Sequence, residues 1–170
     1  GQYLCFFEKP DRAPEPVQLW GSNREKAWSA DECLPRLKAL GAAIVAARPY
    51  DKDLGFPAND YVKTLKLLSA VEVYNPKVRM GANELALEAS ESMKLPGVAG
   101  SDARASLDEI GYAATLFKKP VNTQVELVKA LLGTDYVPVQ MGALPHLRRP
   151  GEAKQEEQQR KKKKKRRWPR

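Results

Sequence analysis

Short apolar runs alternate with amphipathic segments along the chain. The apolar runs predict β-strands over residues 3–7, 42–47, 70–74, 97–100 and 115–117. The intervening segments predict helices over residues 29–40, 61–68, 82–94 and 123–132. Strands that alternate with helices in this way are typical of right-handed βαβ units and a parallel sheet.

The first predicted helix has the clearest local signals. Ser29 is followed three residues later by Glu32, which is the spacing of a capping box. Leucines then recur at helical spacing until Gly41 ends the segment. The run over residues 42–47 is continuously apolar, so it predicts a strand that is buried on both faces.

The number of strands limits the architecture. About five predicted strands are too few to close a standard eight-stranded β/α barrel. We therefore expect an α/β fold of parallel βα units, either an open sheet or a partial or distorted barrel. We expect residues 1–146 to form this body and residues 147–170 to form a linker and a polybasic tail.

The positive charge of the chain is concentrated at its C-terminal end. The whole sequence has a net charge of +8. Residues 147–170 contain 12 Lys and Arg against 3 Glu, or +9, which leaves 17 basic and 18 acidic residues, or −1, for the body. The body therefore gives no electrostatic reason to expect nucleic acid on its surface.

Composition excludes several classes of protein. The chain has one histidine and two cysteines, too few for a multi-histidine metal centre, a disulfide framework or a cysteine-rich zinc site. No apolar run reaches the length of a membrane span. These features predict a cytoplasmic protein without a membrane span, and they leave the oligomeric state open.

Polar residues follow three of the predicted strands at their carboxyl ends, where ligands gather in parallel α/β folds. Arg48 follows the second strand, Glu72 and Asn75 lie at the end of the third, and Asp102 and Arg104 follow the fourth. These residues are the candidates for a functional site.

Residues 42–117 resemble the C-terminal part of the polymerase and histidinol phosphatase (PHP) family of metal-dependent phosphoesterases. The resemblance depends on the order and spacing of Ala-Ala-Arg-Pro-Tyr (46–50), Glu-Val-Tyr-Asn (72–75), Gly-Ser-Asp-Ala-Arg (100–104) and Glu-Ile-Gly-Tyr-Ala-Ala-Thr (109–115). It implies a distorted β/α barrel whose strand ends hold divalent metal ions, Mn, Zn or Mg, and a hydrolase activity on phosphate esters.

The departures from the family pattern bear on that activity. Arg48 and Arg104 stand where the family tends to have histidine ligands, and its early His-x-His element is absent. A guanidinium stays protonated and has no available lone pair, so Arg cannot replace His as a ligand. By resemblance, Asp102 alone matches a metal-ligand and catalytic position. The departures predict a domain that lacks hydrolase activity by itself.

The two arginines have three open interpretations. Their forked donors suit bidentate phosphate binding where metal ions would otherwise neutralise the ligand. Alternatively, Arg48 pairs with Glu72 or Asp102 and only stabilises the sheet end. In the third interpretation, a family branch with Arg at this position keeps a reduced metal site.

The remaining polar candidates have simpler alternatives. Asp102 either binds a metal or orients water, or it caps the helix that begins near Ser106 or forms an ion pair. Glu72 and Asn75 are weaker candidates, because polar residues at strand ends commonly satisfy loop backbone groups. His146 is the only histidine and is predicted to be a linker residue.

The tail contains eight successive basic residues followed by a tryptophan. Mutual repulsion keeps such a run out of a core. We expect it to bind RNA or DNA through counterion release and stacking, with an anionic membrane surface, an acidic protein or no partner as the alternatives. The predicted nucleic-acid-binding residues are Arg160, Lys161, Lys162, Lys163, Lys164, Lys165, Arg166, Arg167 and Trp168.

Three functions are consistent with these patterns. The first is a divergent or truncated PHP-like phosphoesterase domain without autonomous activity, joined to a nucleic-acid-binding tail. The second is an active metal-dependent phosphoesterase whose missing histidines come from an upstream segment or a partner chain. The third is a module that binds a phosphorylated small molecule through Arg48 and Arg104. The first residue is Gly1, almost inside a predicted strand, so we expect upstream sequence or processing.

Overall fold

Two β-sheets and three α-helices make up the mixed α/β fold. The structure is a computed structural model that describes residues 1–15, 29–104 and 106–141. The larger sheet contains, in spatial order, β1 (Gln2–Phe6), β2 (Ala43–Ala47), β3 (Ala70–Tyr74) and β4 (Gly97–Ala99). The smaller sheet pairs β5 (Ala113–Phe117) with β6 (Tyr136–Gln140). The predicted α/β class is therefore confirmed.

Three strands of the larger sheet run parallel. Val45 of β2 lies beside Ala70 of β3, and Val71 of β3 lies beside Gly97 of β4. The first strand is antiparallel to β2, so it extends the sheet without a βαβ crossover. The strands in the described part of the chain do not close into a barrel.

Two of the three helices begin with a reciprocal cap. The helices are α1 (Ala30–Ala39), α2 (Met80–Met93) and α3 (Gln124–Leu132). The Ser29 backbone N–H donates to Glu32 Oε2 at 2.8 Å, which confirms the predicted capping box of α1. Thr123 and Glu126 form the same motif before α3. Gly41 follows α1 with a φ of +84°, a conformation that favours glycine.

Each face of the larger sheet packs against its own apolar cluster. The first cluster joins the sheet to α1 and α2, and its members include Ile44, Val71, Leu34, Leu37 and Ala89. The second cluster joins the opposite face to α3 and β6, and its members include Val45, Val98, Val128, Leu131 and Tyr136. With both faces covered in this way, the loops at the carboxyl ends of β2, β3 and β4 lie together at one edge.

Two elements differ from the predictions. The helix predicted over residues 61–68 is wrong, because Asn59–Thr64 forms a 3-10 helix. Val62 is buried within this 3-10 helix, whereas Leu65 and Leu68, which are also buried, lie beyond its end. Strand β6 was not predicted, because Pro138 lowers the strand signal; it pairs there with Thr115 of β5.

Two further sequence predictions concern membrane spans and the chain's C-terminal division. In residues 1–15, 29–104 and 106–141, no helix has the length and apolar character that crossing a bilayer requires. The predicted boundary at residue 146 and the polybasic tail lie outside the described residues. The division of the chain into body and tail stays a prediction.

The packing of α1 predicts different costs for two leucine substitutions. Leu34 is 3% exposed in the first cluster, whereas Leu40, at the end of the same helix, is 43% exposed. We expect Leu34→Ala to lower the free energy of unfolding by about 3 kcal/mol and Leu40→Ala to lower it by less than about 1 kcal/mol. Urea unfolding of both variants measures the difference. Equal losses would contradict the placement of Leu34 in this cluster.

Candidate functional site

The candidate site lies where β2, β3 and β4 end. Arg48 directly follows β2, Asn75 directly follows β3, and Asp102 lies three residues beyond β4. Arg48 Nη1 and Asn75 Nδ2 each lie 3.5 Å from Asp102 Oδ2. The structure therefore brings together the residues that the sequence placed at neighbouring strand ends.

Arg48 is the residue with the most contacts at this edge. Its Nη1 lies 3.5 Å from Asp51 Oδ2 and 3.5 Å from Asp102 Oδ2, and its Nη2 donates to Gln2 Oε1 at 2.7 Å. Its side chain is 13% exposed, and its φ is +45°, in the left-handed region. This backbone conformation turns the chain sharply after β2. The guanidinium consequently lies between two carboxylates.

Asp102 has both carboxylate oxygens occupied by cationic or amide donors. Arg104 Nε donates to Oδ1 at 2.8 Å, while Arg48 and Asn75 approach Oδ2. The side chain is 15% exposed, and its backbone also has a positive φ, of +48°. Asp102 thus forms ion pairs with both Arg48 and Arg104.

Glu72 lies at the same strand ends and is held by two donors. Its Oε2 accepts the Arg48 backbone N–H at 2.9 Å, and its Oε1 accepts Asn75 Nδ2 at 3.2 Å. Burial raises the pKa of Glu72 to about 7, and the negative charge of Asp102 adds to the rise. The two hydrogen bonds oppose this rise because they stabilise the carboxylate.

Two supporting contacts fix the loops that carry these residues. Asn75 donates its backbone N–H to Asn83 Oδ1 at 3.2 Å, and Asn83 Nδ2 donates to the Asn75 carbonyl at 3.0 Å. Lys77 Nζ forms an ion pair with Glu109 Oε2 at 2.8 Å, and the same oxygen accepts the Arg104 backbone N–H. Asn83 of α2 therefore holds the Asn75 backbone in place, and Glu109 links Lys77 to the Arg104 backbone.

The charge balance of the cluster bears on phosphate binding. The carboxylates of Asp51 and Asp102 contact the guanidinium groups of Arg48 and Arg104, and the Glu72 carboxylate accepts the Arg48 backbone N–H. An incoming phosphate would have to displace carboxylates from the arginine donors and would meet their negative charge. Phosphate binding by Arg48 and Arg104 stays a prediction, while the observed pairing agrees with their structural interpretation.

The donor set does not suit the metal ions that the resemblance implies. Within residues 1–15, 29–104 and 106–141, no three His, Cys, Asp or Glu side chains form a group that could hold a metal ion. Arginine supplies no lone pair, and both oxygens of Asp102 already face arginine donors. A divalent ion would therefore compete with two guanidinium groups for one carboxylate.

Sequence reasoning missed two residues of this site. Asp51 pairs with Arg48 across one turn of chain, and Asn83 projects from α2 to the backbone of Asn75. The i, i+3 spacing of Arg48 and Asp51 is a weak signal that was available in the sequence. Contact of Asn83 with Asn75 depends on how α2 packs, so no local pattern indicates it. His146 and the basic tail lie outside the described residues.

A family model supports the resemblance over part of the chain. The PHP-associated model matches residues 81–134, which comprise 54 of the 170 residues. The match supports a PHP family C-terminal region. It includes Asp102 and Arg104 of the candidate site and ends before the basic tail, whereas Arg48 and Glu72 precede it. No curated protein matches the chain significantly.

The raised pKa of Glu72 predicts a pH-dependent stability. The pKa of Glu72 is 4.5 in the unfolded chain and about 7 in the folded one. At pH values between these two, Glu72 is protonated in the folded chain and ionised in the unfolded chain. The free energy of unfolding should therefore fall as the pH rises through this window, by about 3 kcal/mol. Chemical denaturation at a series of pH values measures this slope.

Two glutamine variants identify the group responsible for the slope. Glu72→Gln removes the titrating carboxyl, so we expect a flatter profile between pH values of about 5 and 8. Glu88→Gln changes an exposed glutamate on α2 and should keep the original slope. A Glu72→Gln profile that matches the parent chain would show that another group causes the dependence.

Proposed function

We propose that the chain contains a divergent PHP-like domain in which ion pairs occupy the strand-end site, and that it has no hydrolase activity by itself. The observation that carries this proposal is the occupation of both Asp102 oxygens by Arg104 and Arg48. The match over residues 81–134 supports a PHP-related function at the level of the family.

The physical basis is the difference between a guanidinium and a metal ion. Both neutralise carboxylates, but only a metal ion offers an open coordination position that polarises a phosphoryl oxygen or activates water. Arg48 is confined by Asp51, Asp102 and Gln2 at the strand ends. Removing it would leave carboxylates without a counter-charge, so the arginine is part of the fold of this edge.

The fold and the cysteine content support two further parts of this proposal, the origin of the fold and the cellular compartment. The three parallel strands with adjacent carboxyl ends are consistent with part of a distorted β/α barrel, which we propose as the origin of the fold. We also propose a cytoplasmic protein, because Cys5 and Cys33 are its only cysteines and both are free thiols.

Metal content and turnover test the absence of autonomous activity. We expect the chelator-treated chain, reloaded with Mn²⁺, Zn²⁺ or Mg²⁺, to retain no stoichiometric metal after dialysis and to hydrolyse neither phosphomonoesters nor phosphodiesters above background. Asp102→Ala and the exposed control Asp53→Ala should leave this background unchanged. Stoichiometric metal together with turnover that only Asp102→Ala abolishes would establish the active phosphoesterase instead.

A histidine variant provides the complementary measurement. Arg48→His combined with Arg104→His removes both guanidinium groups and supplies two imidazole ligands beside Asp102. We expect this double variant to retain more Zn²⁺ after dialysis than the parent chain does. Equal zinc retention would show that the arginines are not what excludes the metal.

We extend the proposal to the C-terminal tail, which would bind RNA or DNA through residues 160–168. The support comes from sequence alone, because eight successive cationic residues adjoin a tryptophan. Residues 1–146, in contrast, have a net charge of only −1. Binding of this kind depends on counterion release, so it should be sensitive to salt and largely independent of base sequence.

Deletion of residues 160–170 tests the role of the tail. We expect the truncated chain to lose binding to a fluorescent single-stranded RNA or DNA at about 50 mM salt, whereas the full chain binds and is released at about 300 mM. Fluorescence anisotropy measures both. Unchanged binding by the truncated chain would locate the contact on the body.

A further inference from the structure

An apolar cavity opens at the border of the larger sheet, β5 and α3. Its volume is about 270 Å³, and its walls include Leu4, Phe6, Val45, Val98, Phe117 and Leu131. The remaining polar side chain in the apolar wall, Thr115, already bonds to the Ala99 backbone in both directions. The volume is near the lower end of the range for small-molecule sites.

Glu72 supplies the charged end of this cavity. It is the one charged side chain among the described residues that line the space. A carboxylate offers about four acceptor positions, and the observed donors to Glu72 are the Arg48 N–H and the Asn75 amide. Acceptor capacity on this carboxylate therefore remains.

Gly100 keeps the approach to Glu72 open. A Cβ built on Gly100 would meet Glu72 Oε1 at 3.8 Å and no other atom of a non-neighbouring residue within 4 Å. Because Gly100 carries no side chain, the space beside this oxygen is continuous with the apolar cavity. A ligand atom can thus reach the carboxylate while the rest of the ligand contacts apolar walls.

The charges around the cavity indicate which kind of ligand it would bind. Asp51, Glu72 and Asp102 give three negative charges when ionised, and Arg48 and Arg104 give two positive ones. A neutral apolar molecule would leave the Glu72 carboxylate without a cationic partner, and an anion would be repelled by it. We propose that this cavity binds a small apolar molecule that carries one protonated amine, with the ammonium group donating to Glu72.

Two ligands with the same alkyl chain, one with a cationic and one with a neutral head group, test the proposal. Hexylamine is protonated at about pH 8, and 1-hexanol has the same chain with a neutral end. Isothermal titration calorimetry on the full chain should show hexylamine binding about tenfold more tightly than 1-hexanol, since a charge-assisted hydrogen bond favours the amine. Equal affinities, or no detectable hexylamine binding, would overturn the proposal.

Two variants assign the preference to Glu72 and to the cavity. Glu72→Gln should reduce the amine preference to about twofold or less, whereas Glu88→Gln, on the exposed face of α2, should preserve it. Gly100→Leu fills the space beside Glu72 and should weaken both ligands about tenfold or more. Retention of the tenfold preference in Glu72→Gln, or unchanged hexylamine affinity in Gly100→Leu, would contradict the assignment.

Discussion

The contact between the Arg48 guanidinium and the carboxylates of Asp51 and Asp102 holds the strand ends together. Arg48, directly after β2, and Asp102, three residues after β4, both have a left-handed backbone conformation. Each conformation is unfavourable for a residue with a side chain, by about 1 to 3 kcal/mol. The ion pairs and the bond from the Arg48 backbone to Glu72 offset that cost. The geometry of these strand ends therefore depends on the positive charge of the Arg48 side chain.

This dependence follows from the charges that the fold collects at the strand ends. Parallel strands bring several carboxylates to one edge, and such a group requires a counter-charge. Arg48 and Arg104 provide it, but they also take the oxygens of Asp102 that a metal ion would need. Glu72 accepts the Arg48 backbone N–H and not its guanidinium, and burial raises the pKa of Glu72 to about 7. An apolar cavity opens beside that carboxylate.

The sequence was informative wherever local patterns decide structure. The continuous apolar run of β2 and the Ser29–Glu32 spacing predicted a buried strand and a capped helix, and both are present. Topology then predicted that Arg48, Asn75 and Asp102 would meet. Pro138 concealed β6, and the amphipathic pattern over residues 61–68 predicted a helix where the chain forms a shorter 3-10 helix over Asn59–Thr64. Asp51 and Asn83 were missed because their contacts depend on a backbone turn and on helix packing that no local pattern specifies.

A double-mutant cycle between Arg48 and Asp102 tests the central claim most directly. Arg48→Met keeps the apolar stem without the charge, and Asp102→Asn keeps the shape of the carboxylate without the charge. Unfolding free energies of the parent chain, the two single variants and the double variant give the coupling between the pair. The account predicts a favourable coupling of about 1 to 3 kcal/mol. A coupling near zero would contradict it, because the pair would then lie close together without stabilising the strand ends.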